Sequence, residues 1–153
     1  MKVVVTGHDD FFGPWIAQRT NGEWVEGRGT TIGLWELGVG PIGAVQFADC
    51  NDASVVMHCA GDGRRWLNRE FLWYAFHYPF EELGVRKIIS PVEGDNLDCQ
   101  RFIENLGFVR EATLKDAAPK GDLILYTLRR EDCKWLTLRE KYRGKSQDTI
   151  NQR

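Results

Sequence analysis

The chain has 153 residues, 42% of them hydrophobic, which suits one ordinary domain with its own core. A formal charge of −2 and a pI near 5.9 argue against a dedicated nucleic-acid binder, which would show a strongly basic surface. The opening MKVVVTGHDDFF has too short an apolar run for a signal peptide, and no segment has the length of a membrane span, so a cytoplasmic protein is expected.

In chain order, Lys2 to Thr6 predicts a short strand, and His8 to Arg19 predicts one or two helical turns broken at Gly13-Pro14. TIGLWEL, PIGAVQFA and ASVVMHCA are short apolar runs divided by the turn compositions GVG and DCND, which predicts three strands in an antiparallel meander. Arg64 to Leu83 lacks glycine and repeats Leu67, Phe71, Tyr74 and Tyr78 at helical spacing; Pro79 should kink or divide this helix and Gly84 should end it. Val85 to Pro91 predicts a strand, Asn96 to Leu106 a helix closed by Gly107, and Phe108 to Leu114 and Leu123 to Leu128 two strands joined through APKGD. In the tail, Trp135, Leu138 and Tyr142 share one helical face. A single domain over 1–142 and a frayed tail over 143–153 are expected. The order of elements is that of an α/β chain with a mixed sheet flanked by helices.

Cys50, Cys59, Cys99 and Cys133 form no CxxC pair, which points to reduced thiols and to no metal site. His58 and Cys59, as strand neighbours, should face opposite sides of the sheet. The stretch His58-Cys59-Ala60-Gly61-Asp62-Gly63-Arg64-Arg65 closes an apolar run and opens the long helical segment. Glycines there expose backbone N–H groups and allow close approach, a helix start adds unpaired donors and a positive dipole end, and Arg64 and Arg65 add charge. This chemistry suits an anion; a plain turn with Asp62 as N-cap is the alternative. Two other phosphate loops are excluded. Trp66 occupies the third glycine place of a dinucleotide fingerprint, and Arg139 stands where a P-loop ending in Gly144-Lys145-Ser146 needs its first glycine.

The stretch GVRKIISPVEGDNLDCQRFIENLGFVREATL resembles the GCN5-related N-acetyltransferase (GNAT) family, in which a strand leads into an Asn-opened helix closed by a leucine-glycine-phenylalanine turn, here Asn96 and Leu106-Gly107-Phe108. That family carries a Gln/Arg-x-x-Gly-x-Gly/Ala pyrophosphate loop before its long helix, and residues 58–63 match it with His58 in the first place. The resemblance spans about Thr30 to Arg130 and is closest to small stand-alone bacterial or phage members. It implies a GNAT-like mixed central sheet with two splayed strands forming an acetyl-CoA cleft. In that cleft Met57, His58, Cys59, Gly61, Asp62, Gly63, Arg64, Arg65 and Asn96 would bind the cofactor.

The implied reaction is acetyl transfer from acetyl-CoA to a primary amine of a protein, metabolite or antibiotic, by direct attack on the thioester. The alternative is a catalytically weak CoA-binding or protein-interaction module on the same fold. As the base that deprotonates the amine, His58 ranks first, followed by Glu36 and Asp49, with a water relay as the remaining choice. Many family members use a helix tyrosine as the acid for the leaving thiolate. Ile103 stands in that position here, leaving Cys99, Ser90, Tyr126 or water. Asp9 and Asp10 attract a cationic amine in one reading and form a solvated helix start in the other. The aromatic row from Phe71 to Phe80 is read as core, with a homodimer face as an alternative use of part of it.

Overall fold

A computed structural model describes residues 1–20, 22–63, 66 and 68–141. Seven strands, β1 (Lys2–Thr6), β2 (Gly29–Glu36), β3 (Gly40–Ala48), β4 (Ser54–Gly61), β5 (Lys87–Glu93), β6 (Val109–Ala118) and β7 (Gly121–Arg129), form one sheet in the order β1-β2-β3-β4-β5-β7-β6. The pairs are antiparallel except β4 with β5, so the sheet is mixed. The predicted meander is β2-β3-β4, and the last hairpin is β6-β7, longer than the apolar runs alone suggest. The expected tail over 143–153 lies outside the described residues, as does Tyr142. Among the described residues no helix is long and apolar enough to cross a membrane.

Alternation along the strands sorts side chains onto two faces. On β2, Ile32 and Leu34 join the larger core cluster, whereas Trp35 packs with the smaller one. The smaller cluster is built by α1 (Asp9–Thr20), whose Phe12, Trp15 and Ile16 cover Ala44 and Ala60. The expected break at Gly13-Pro14 does not occur, and α1 runs through both residues. An interior proline costs about 3 kcal/mol, but burying three large side chains returns roughly 1.5–3 kcal/mol each. Gly13 is required for another reason: a Cβ there would overlap the Trp24 ring.

The larger cluster lies on the opposite face, under α2 (Arg69–His77), α3 (Leu97–Asn105) and the C-terminal 3₁₀ segments. The helix expected from Arg64 begins later. Asn68 is its N-cap, with Oδ1 accepting from the backbone N–H of Glu70 (2.8 Å) and Phe71 (3.2 Å). At Tyr78–Glu82, around Pro79, the α-helix gives way to a π-helical turn. Asn96 caps α3 by accepting from Cys99 N–H, and Gly107, at φ 105°, ends it. The tail is held where Trp135 Nε1 donates to the Leu106 carbonyl at 2.8 Å.

Candidate active site

Strands β4 and β5 pair only through Ser54↔Lys87, Val55↔Ile88 and Val56↔Ile89, then part. From Met57 on, β4 stays paired with β3, and from Ser90 on, β5 stays paired with β7. Each strand therefore turns one open backbone edge toward the other, and those N–H and C=O groups need partners. The gap opens into a cleft of about 810 Å³. Its walls are His58 to Gly61 on one side and Ser90 to Glu93 on the other; Asn96, Cys99 and Phe102 of α3 and Arg19 at the end of α1 complete it.

His58 and Cys59 diverge as strand neighbours must. Cys59 packs toward the larger core cluster, whereas Ala60, and with it His58, belongs to the α1 face. On that face Thr31, Gln46 and His58 stand in register across β2, β3 and β4. The start of α1 is pinned to the same row, because Asp9 Oδ1 accepts from Thr31 N–H (2.7 Å) and Oγ1 (2.8 Å). Asp9 is thus a structural tie between α1 and β2. Burial lowers the His58 pKa, Asp49 pulls it back up and Arg28 pushes it down, so the imidazole is neutral at pH 7.

At the far end of the cleft, Gly61 is a glycine because a Cβ would overlap the indole of Trp66. Trp66 also lines the cleft and packs its ring 4.6 Å from that of Phe102. Gly63 has φ 70° and nothing within 4 Å of a would-be Cβ, so its conformation alone calls for glycine. Arg19 Nε donates to Asp62 Oδ1 at 3.0 Å, tying the end of α1 to this loop. α1 therefore runs alongside the cleft from the His58 row to the glycine loop. Sequence gave no signal for Arg19 at this site, since 43 residues separate it from Asp62.

The cleft also holds two thiols that face each other. Cys59 donates toward Cys99, which with burial raises the Cys59 pKa well above the usual thiol range. Accepting that bond lowers the Cys99 pKa. Of the other groups weighed as acid, Ser90 is on the cleft wall, whereas Tyr126 is buried behind it and donates to Glu104 Oε1 at 2.7 Å. Ile103 is fully buried in the core.

Several expected site residues stand elsewhere. Glu36 ends β2 opposite Gly40, five residues along from Thr31, or about 16 Å from the His58 row. It is too far to take a proton there. Asp49 is exposed, ion-paired with Arg28 at 3.6 Å, and acts on His58 through its charge. Met57 is buried in the core and Asp62 is engaged by Arg19, so neither side chain forms the cleft wall. Asn96 does, while its side-chain oxygen caps α3. Arg64 and Arg65 lie outside the described residues. The helix start once expected beside them is at Asn68, five residues past Gly63.

No protein-family model matches the sequence, and no curated protein matches it. Solved structures do match. A mutant spermidine/spermine N-acetyltransferase SpeG from Vibrio cholerae superposes with a TM-score of 0.70 at 15% identity, covering 90% of this chain and 98% of that one. A chimera of Vibrio cholerae SpeG with hSSAT gives 0.68 at 17% identity, covering 88% and 98%. A ribosomal-protein-S5-alanine acetyltransferase from Vibrio fischeri gives 0.59 at 16% identity, covering 69% and 64%. With the parallel strands β4 and β5 parting into a cleft, this chain has the fold of the GNAT N-acetyltransferases.

Proposed function

We propose that this protein is an acetyl-CoA-dependent N-acetyltransferase that moves an acetyl group to a primary amine. The observation that carries the reading is the pair of open strand edges facing one cleft. An extended ligand with amide groups along its length satisfies such edges as an added strand would, and the pantetheine arm of coenzyme A has that form. Apolar flanks at Ala60, Pro91 and Val92 and the glycine loop at one end suit an arm terminating in phosphates.

With the arm in the cleft, the thioester lies beside β4 and the amine arrives from the α1 face, where His58 stands. The neutral imidazole takes a proton from the incoming ammonium, directly or through a water. The amine nitrogen then bonds to the acetyl carbon, an N–H of the open β4 edge steadies the oxygen, and the carbon–sulfur bond breaks. The new amide nitrogen sheds its second proton to water, and the departing thiolate takes one up on the α3 side, from water or from Cys99, which water then reprotonates.

A thermal-shift titration with acetyl-CoA, coenzyme A and ATP in parallel tests the binding half. At about one hundred times its Kd a ligand stabilises by roughly 2.7 kcal/mol, a shift of several degrees. Both coenzyme A forms should shift the transition and ATP should not. Thiol release from acetyl-CoA across a panel of amines tests the chemistry. Binding without amine-stimulated release would assign the chain to the catalytically weak module that Ile103, in the place of the tyrosine acid, favours.

A further inference from the structure

A phosphate site needs donors, and some of those at and just beyond the glycine loop are taken. The Asp62 N–H goes to the Ile42 carbonyl at 2.9 Å. At the start of α2, Glu70 and Phe71 N–H are taken by Asn68 Oδ1. An acid between the two glycines also repels an anion. Arg19 answers both difficulties. Its Nε and Nη2 donate to the two oxygens of Asp62 at 3.0 and 3.3 Å, and its Nη1 donates to the Trp15 carbonyl at 3.2 Å. Its guanidinium carbon lies 3.8 Å over the Trp15 ring.

A guanidinium carries five N–H groups. Three are used here, and those three together with the ring contact fix its plane. The other two, one on each terminal nitrogen, meet no partner among the described residues, and the side chain lines the cleft.

We propose that Arg19, reaching across from α1, is a phosphate-binding residue of the cleft, held by Asp62 and Trp15 with its two remaining N–H groups toward a diphosphate. The proposal rests on the coenzyme A reading above. A carboxylate and a phosphate held on different N–H groups of one guanidinium is a geometry that arginine's planar fork allows and lysine's point charge does not. α1 then contributes at both ends of the cleft, fixing the His58 row through Asp9 and holding the phosphates through Arg19.

The test is calorimetric titration of wild type, Arg19→Gln and Arg19→Lys with coenzyme A and with acetyl-pantetheine, which keeps the arm and lacks the diphosphate. Both variants should keep the wild-type melting temperature, since the Arg19–Asp62 pair is partly exposed. Arg19→Gln should weaken coenzyme A roughly tenfold or more, and Arg19→Lys should restore only part of the loss. Affinity for acetyl-pantetheine should not change, and the salt dependence of coenzyme A binding should become shallower in Arg19→Gln. If wild type binds coenzyme A and Arg19→Gln binds it equally well, the assignment of Arg19 fails alone. Equal losses for both ligands would also overturn it, since Arg19 would then only shape the cleft. If wild type binds neither form, the coenzyme A reading fails and this inference with it.

Discussion

Trp66 lies against Gly61 so closely that a Cβ on that glycine would overlap the indole ring. The same ring contacts Phe102 on α3 and borders the cleft, so one packing contact sets the width of the cleft at its loop end. Gly61, a residue of the cleft lining, thus has a packing reason of its own to lack a Cβ.

Gly61→Ala should therefore cost about 1–3 kcal/mol through overpacking. At roughly 2–4 °C per kcal/mol for a chain of this size, calorimetry would register a drop of several degrees. Gly63→Ala meets no neighbouring atom and should cost roughly 1–2 kcal/mol through its left-handed backbone alone. Combining each with Trp66→Phe separates them: Gly61→Ala should be less than additive with the ring change, Gly63→Ala additive. Additivity at both sites would show that Trp66 does not press on Gly61.

His58 should govern the acid limb of the pH–rate profile. Burial depresses its pKa, so the acid limb of kcat/KM should lie below 6.5, and His58→Gln should lower the rate while removing that limb. Asp49→Asn removes the charge that holds the pKa up and should move the limb to lower pH. Stability has the same sign. The unfolded chain takes up this proton more readily than the folded one, so stability falls as pH drops through 6.5 toward the folded pKa, and above 6.5 the group contributes nothing. An acid limb identical in wild type and His58→Gln would remove His58 as the base.

The thiol pair should show its asymmetry to an alkylating reagent. In a Cys50→Ser background, which removes the exposed thiol, iodoacetamide near neutral pH should label Cys99 before Cys59. Coenzyme A should slow labelling at both, because both line the cleft. Peptide mapping by mass spectrometry gives the order. Faster labelling at Cys59, or no protection by coenzyme A, would contradict this arrangement.

Tyr126→Phe should leave kcat essentially unchanged. The hydroxyl donates a hydrogen bond to Glu104, and burial followed by that bond raises its pKa. The expected cost is stability alone, about 0.5–1.5 kcal/mol for one hydrogen bond. A fall in kcat of roughly 10²-fold or more, the scale of a lost general acid, would place Tyr126 in the chemistry after all.

Local signals sufficed for much of the architecture. The meander, the Asn96 cap, the division of a helix at Pro79 and the closing hairpin were legible because apolar alternation, a capping side chain and a proline act over a few residues. Where long-range packing competes with a local preference, packing decided. α1 continues through Gly13-Pro14 because Phe12, Trp15 and Ile16 are buried against the sheet. The site divides in the same way. The motifs that resemble the GNAT family drew attention to His58, the glycine loop and Asn96, and all of these line the cleft. The parting of β4 from β5, the distance of Glu36, the pressure of Trp66 on Gly61 and the arrival of Arg19 at Asp62 could not be named from residue type and spacing. Each depends on which strand lies beside which, and strand order and register are set by the packing of the whole sheet rather than by the residues that meet there.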